Sequence, residues 1–144
     1  MLVEVTRHGQ VRANEGMVRE AARLAHELAG GRLTSLSIVL TDDLTMEALN
    51  RQLLGREGPT DVIAFEAERD PEGLSAEIYV NVDAARRQGE EYGLGFEGEL
   101  CFLVAHGVLH ALGFRDDTED QRRRMFELQT RVVELMGSPS GGTT

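Results

Sequence analysis

Two histidines, His106 and His110, stand four residues apart in the apolar run His106-Gly-Val-Leu-His110-Ala-Leu-Gly113-Phe-Arg-Asp116. A helix advances about 100° per residue, so this spacing puts both imidazoles on one face, one turn apart. Gly113 is expected to stop that helix, and the carboxylate of Asp116 follows three residues later. Two neutral imidazoles and a carboxylate suit Zn²⁺, one ion per chain. A three-ligand set leaves the fourth position open, which is where hydrolytic chemistry takes place. Asp116 has the better offset for the third ligand. Asp117 is the alternative, and one of the two could instead serve the start of the next helix. His8 and His26 lie outside the run and are expected at the surface. Cys101, five residues before His106 and about 140° around the helix, is expected to be a buried thiol outside the site. Glu99, two turns before His106, is either a partner of a metal-binding histidine or an exposed helix residue.

The elements that must position these groups are legible in the hydrophobic pattern. Strands are predicted over residues 2–6, 33–40, 61–66 and 77–82, and helices over 16–29, 84–92 and 96–112. A further helix begins after the N-cap candidates Thr41, Asp42 and Asp43 and runs to about Leu53. The stretch 67–75 contains Asp70-Pro71-Glu72-Gly73 and is expected to be a turn or loop. Thr118-Glu-Asp-Gln121 is a capping box that opens a last helix with core face Met125, Leu128, Val132 and Leu135. The order implies an α+β fold: one small domain over residues 1–137, with a mixed sheet of about four strands covered by helices. A flexible tail is expected over 138–144.

Composition narrows the function classes. Hydrophobic residues make up 41% and charged residues 28% of the 144, as in soluble globular domains. The segment 1–7 carries charge where a secretory signal would be apolar, and no run approaches the roughly 20 apolar residues of a membrane span. A single cysteine excludes an intramolecular disulfide, so cytoplasmic residence without membrane attachment is expected. The formal net charge of −10 argues against a general nucleic-acid coat. It leaves room for an enzyme that meets RNA through a local cationic patch. All 15 basic residues are Arg. The triplet Arg122-Arg123-Arg124 is expected to be a solvated helix surface, because successive residues diverge around a helix.

Between residues 49 and 117 the chain carries Leu49-Asn50, Pro59-Thr60-Asp61-Val62-Ile63-Ala64-Phe65, Glu77-Ile78-Tyr79-Val80-Asn81-Val82-Asp83, Glu90-Glu91-Tyr92-Gly93 and the histidine run, in that order. In these segments it resembles the YbeY family of bacterial metal-dependent endoribonucleases that act in ribosomal RNA maturation. The resemblance implies a small α+β fold with the metal at the edge of a cleft, and it carries over onto His106 and His110. Elsewhere the chain departs from the family pattern. The usual third histidine falls on Asp116, and the Asp before it on Arg115. A family arginine falls on Leu54, and a Gly-Asp pair has become Ala76-Glu77.

Asp116 cancels one positive charge of a bound ion, and Leu54 removes a cation that could hold phosphate. Both changes leave a less electropositive centre, which acidifies water less and attracts a phosphodiester less. Arg115 and Arg56 are the candidate catalytic cations that could compensate. The competing readings are a solvated loop residue for Arg56 and an ion pair with Asp117 or Glu119 for Arg115.

What the resemblance implies is a single-strand-specific, zinc-dependent endoribonuclease in ribosomal RNA processing (small-subunit 3′-end maturation) and ribosome quality control. Its partners would be single-stranded or ribosomal RNA and small-subunit ribosomal proteins or an assembly GTPase. The alternative is a weakly or non-catalytic ribosome-assembly factor that keeps a structural metal. A zinc peptidase is the third reading, because the ligand spacing matches metzincin-like proteases. Those carry a glutamate directly after the first histidine as general base, and here that position is Gly107.

Overall fold

The computed structural model describes residues 1–142, with side chains through residue 137. The tail expected over 138–144 therefore lies outside the fully described residues. In chain order the elements are β1 (Leu2–His8), α1 (Glu15–Leu28), β2 (Ser35–Thr41), α2 (Asp43–Leu54), β3 (Val62–Ala64), β4 (Glu68–Asp70), β5 (Gly73–Asn81), α3 (Val82–Tyr92), α4 (Gly95–Ala111) and α5 (Glu119–Gly142). The sheet runs β1-β2-β5-β3, with β4 also paired to β5. The first three strands are parallel, and β3 and β4 are antiparallel to β5. This is the expected α+β architecture with a mixed, open sheet.

One expected loop is instead a hairpin. Residues 67–75 were expected to be irregular, yet Glu68 pairs with Ser75 and Asp70 with Gly73, so the sheet has five strands rather than four. The turn itself is where the Asp-Pro-Glu-Gly signal put it. Asp70 Oδ1 accepts from the Glu72 N–H at 2.9 Å, and Gly73 adopts φ +133°. The alternation in the short arm Glu68-Arg69-Asp70 is masked because all three side chains are exposed.

The helices begin where side-chain caps satisfy orphan N–H groups. Asn14 accepts from Met17 N at 3.0 Å and Asp42 from Thr45 N at 2.8 Å. Thr118 Oγ1 accepts from Gln121 N at 3.1 Å, while Gln121 Oε1 accepts from Thr118 N, completing the capping box. Asp43 ties three elements together: it accepts from Asn81 Nδ2 at 2.7 Å and from Arg87 Nη1 at 2.6 Å. Asn50, buried in α2, donates to Gly58 O at 2.8 Å and so fixes the loop that carries Arg56.

Inward residues of alternating strands (Val3, Leu36, Ile38, Ile78, Val80) form one core with Val18, Ala21 and Ala25 of α1 and with most of α4. On the other face α2 packs on β5 and buries Met46, where Val39 and Ile63 are also buried. The rest of that face is an open groove of about 640 Å³. A second, smaller cluster of Leu109, Met125 and Leu128, with Phe114 packed against it, clamps the end of α4 to α5. Helix α4 is buried nearly all round, which requires a close approach to the sheet. A Cβ on Gly107 would lie 3.0 Å from Ile78 Cδ1 and 3.3 Å from Val62 Cγ1.

Cys101 is 1% exposed, and burial pushes its thiol up to about 12. The thiolate is the reactive form, so iodoacetamide at pH 8 should leave the native protein unmodified and label it only after denaturation, as read by intact-mass spectrometry. Asn50→Ala should lower stability by about 1–2 kcal/mol, measured by urea unfolding, because it strips the Gly58 carbonyl of its donor.

Candidate metal centre and active site

His106 and His110 project from the same face of α4, and both are half-buried. Their rings meet edge to face, with centroids 4.4 Å apart. Each ring is oriented through its Nδ1. Gln129 of α5 donates its Nε2–H to Phe102 O at 3.1 Å. Its Oε1 is thereby left to accept from His106 Nδ1 at 3.3 Å. His110 Nδ1 donates to Phe114 O at 2.9 Å. These partners fix both tautomers with Nε2 bare, and the two Nε2 atoms stand 3.0 Å apart. Two lone pairs facing at that distance repel unless a shared proton or a metal ion satisfies both. Asp116 Oδ2 lies 3.3 Å from His110 Nε2. Donors held at about 2.0–2.1 Å by a tetrahedral ion stand about 3.3 Å from one another, so the three residues fit a metal. They form a group whose ligand atoms all lie within 4.8 Å of one another. Burial pushes the His106 imidazole below its ordinary value, and the nearby His110 adds to the drop. A neutral imidazole is the ligand form.

The third donor is delivered by the turn after α4. Gly113, at φ +95°, takes a left-handed conformation that other residues adopt with strain. A Cβ there would lie 2.8 Å from Glu66 Oε1. Phe114 N bonds back to Leu109 O at 3.0 Å, and the ring packs on the Leu109–Met125–Leu128 cluster. The following loop is tied to α5, where Arg122 Nη1 donates to Asp116 O at 3.1 Å and Gln121 Oε1 accepts from Asp117 N at 2.9 Å. Of the two aspartates, Asp116 is the one that reaches the histidines. Asp117 pairs instead with Arg115, Nε to Oδ2 at 2.6 Å.

The histidine–aspartate group opens into a depression of about 290 Å³ whose walls include Ala64, Glu66, His110, Arg115 and Asp116. Glu66 also lines the sheet groove, so the two openings share one wall residue. Arg115 stands in the wall, while Arg56 is exposed on the loop after α2 and does not line the depression. Leu54 is exposed at the end of α2.

Several expectations change. His26 is half-buried, and its Nε2 accepts from Leu33 N at 2.9 Å, closing the α1–β2 turn. Only His8 is a surface histidine outside the site. Glu99 is neither exposed nor bonded to a histidine. It is 2% exposed, and burial with the neighbouring Asp61 charge raises its carboxyl above the ordinary value. The residue that orients His106 is Gln129, 23 positions away in sequence, which no local spacing could single out. Gly107 faces the sheet, not the metal, so a peptidase-type glutamate has no room there. Arg123 pairs with Glu119 and Asp120, as expected of a solvated helix surface.

The model of the endoribonuclease YbeY family matches residues 6–137. An endoribonuclease YbeY of Geobacillus thermodenitrificans is 32% identical over 139 residues, covering 89% of this chain and 87% of its own. One from Bacillus licheniformis is 36% identical over 121 residues, covering 76% and 75%. The chain belongs to the YbeY family. The solution structure of TM1509 from Thermotoga maritima matches 99% of this chain and 93% of its own, with a TM-score of 0.67 at 25% identity. Family membership makes the chain an endoribonuclease, a hydrolytic nuclease, and its His106–His110–Asp116 group could hold a metal ion. Among the described residues no helix is long and apolar enough to cross a membrane.

Gln129→Leu frees the His106 ring and should weaken zinc binding about ten- to a hundredfold in a chelator-competition titration, with the circular dichroism spectrum unchanged. Gly113→Ala, which strains the turn that delivers Asp116, should weaken it in the same assay and also lower the melting temperature.

Proposed function

We propose that this chain is a zinc-dependent endoribonuclease of single-stranded RNA that uses His106, His110 and Asp116 as metal ligands and Arg115 as the phosphate-contacting cation. The observation that carries the reading is the pair of bare Nε2 atoms facing each other at 3.0 Å beside Asp116, in a chain matched by an endoribonuclease family model over residues 6–137. Bound there, zinc would supply Lewis-acid polarisation of a phosphate oxygen and a more acidic water. The chain's own residues do the rest. Gln129 and the Phe114 carbonyl hold both rings at fixed tautomer. Arg115, kept in place by Asp117, offers a guanidinium at the wall of the depression, where a phosphate oxygen can accept from it. Arg56 is assigned the more distant role of contacting the RNA backbone outside the depression, since its side chain makes no ion pair among the described residues.

The physiological substrate on this reading is ribosomal RNA, at the 3′ end of the small-subunit species, in ribosome quality control as well as maturation. The chain would act in the cytoplasm beside small-subunit ribosomal proteins or an assembly GTPase. The domain that does this spans residues 1–137.

One observation favours a second reading, a weakly catalytic assembly factor that keeps the metal for structure. The sheet groove, which shares Glu66 with the depression, is lined by Glu4, Glu66, Glu68 and Glu77, and carboxylates repel a phosphate backbone. Metal content and cleavage separate the two. The nuclease reading expects about one zinc per chain by plasma mass spectrometry and cleavage of single-stranded RNA that chelation and His110→Ala both abolish. Full zinc occupancy without cleavage would favour the assembly factor.

Asp116→His restores one unit of positive charge to the centre. At an effective dielectric of about 20 and about 5 Å, that charge is worth on the order of 3 kcal/mol. The variant should therefore cleave RNA up to roughly a hundredfold faster under single-turnover conditions. An unchanged or lower rate would show that the aspartate does not limit the chemistry.

A further inference from the structure

Behind His106, on the side away from His110, lies a second cavity, of about 630 Å³, between α3, α4 and α5. That size is typical of a small-ligand pocket, roughly 300–1,000 Å³. Its outer part is aromatic. Phe102 and Phe126 stand edge to face with centroids 5.9 Å apart, and Tyr92 and Leu94 complete the wall. Phe126 is 60% and Tyr92 64% exposed, a large apolar surface left open to water. Its inner end is polar, with Asp61, Gln88, Glu99 and the His106 ring.

Glu99 is the feature of the cavity that its role in the fold does not explain. It is 2% exposed, lines the cavity, and its carboxylate has no hydrogen-bond or ion-pair partner among the described residues. Its oxygens face the cavity rather than packed protein, so they can accept from a donor that a ligand brings in. Asp61, the neighbouring acid, accepts from Gln88 Nε2 at 3.3 Å and leaves further acceptor capacity open. The polar end therefore asks for a ligand edge made of adjacent N–H donors, and the aromatic walls ask for a flat ring.

We propose that this cavity is a base-recognition subsite that takes a guanine of the RNA strand, with the Glu99 carboxylate accepting from the base edge and Phe102, Phe126 and Tyr92 forming the stacking walls. Guanine is the base that presents two neighbouring donors, N1–H and the N2 amino group, and an ionised carboxylate accepts both at once. Adenine and cytosine place an acceptor next to their amino group, and uracil flanks its single donor with acceptors. Glu134 at the mouth disfavours a phosphate, so the base enters and the backbone stays outside. The cavity shares the His106 ring with the candidate metal group: Nε2 faces His110 and Nδ1 faces Gln129. A base seated there belongs to a nucleotide close to the one being cleaved. The inference deepens the endoribonuclease reading and rests on it for the identity of the ligand as RNA.

The test is binding, kept separate from cleavage. The zinc-loaded full chain is titrated, with fluorescence anisotropy as readout, against 2′-O-methyl hexanucleotides that differ at one central position (guanine, hypoxanthine, adenine, cytosine or uracil), each recovered intact on a denaturing gel after the titration. The expected result is guanine preferred about tenfold over each of the others. Hypoxanthine is the stringent control, since it lacks only the N2 amino group. Glu99→Gln should erase that preference with zinc content unchanged, and Phe126→Ala, a change at an exposed position that spares the fold, should weaken guanine binding by about tenfold. Equal binding of all five bases by the wild type, or a guanine preference that survives Glu99→Gln, would overturn the proposal. So would a Phe126→Ala variant that binds RNA normally but loses a protein partner, which would give the cavity to that partner. A guanine preference in a chain that cleaves nothing would remove the nuclease reading and leave the base subsite standing.

Discussion

The close contact of α4 with the sheet at Gly107 is the constraint on which the site depends. With no side chain at that position, the helix settles onto Ile78 and Val62, and the rest of its circumference is filled by α1, α3 and α5. A helix sealed this way holds its rotation, because any turn about its axis would expose apolar surface or drive backbone into Ile78. Rotation decides where His106 and His110 point. The same glycine that removes any peptidase-type base therefore aims the two imidazoles at the cleft edge.

The third donor depends on a different set of forces. Asp116 is exposed and belongs to a loop, so propensity does not fix it. What fixes it is the left-handed Gly113, the Phe114 ring in the Leu109–Met125–Leu128 cluster, the hydrogen bond that Arg122 donates to Asp116 O and the one that Gln121 Oε1 accepts from Asp117 N. The capping box thus serves two ends at once. It starts α5, and it holds the loop that brings a carboxylate to His110. Such anchoring matches what a metal site needs, since ligands held by outside partners are oriented before the ion arrives.

The electrostatics differ around the molecule's two openings. On the sheet side, four glutamates line the groove, one of them (Glu66) shared with the depression at the histidine–aspartate group, and Arg115 stands in the wall of the depression itself. On the α5 side, buried Glu99 and half-buried Asp61 line an aromatic cavity. Neither opening offers a broad cationic track. On the proposed reading, RNA affinity in this chain would rest on local contacts (a guanidinium, an ion, a stacked ring) rather than on a charged surface, in keeping with the net charge of −10.

Much of this was legible in the residues. The four-residue histidine spacing, the Gly113 stop, the nearness of Asp116 to the histidines and the Thr118–Gln121 capping box are local signals, set by the pitch of a helix and the reach of a short side chain, and the structure has them. So does the α+β pattern, because periodicity records which face of each element is apolar. Other features needed the tertiary structure. The β4–β5 hairpin has exposed, charged side chains in its short arm, so it left no alternation to read. Half-buried His26 is used by Leu33 N, seven residues on, a bond that exists only once α1 and β2 are folded together. Gln129 meets His106 across 23 residues, and Glu99 comes to line a cavity with residues of α3 and α5 only once the three helices pack. Local spacing determined which groups could share a metal. Long-range packing decided which partner turns each ring, which arginine stands beside the cleft, and what else the helix that carries the histidines can bind.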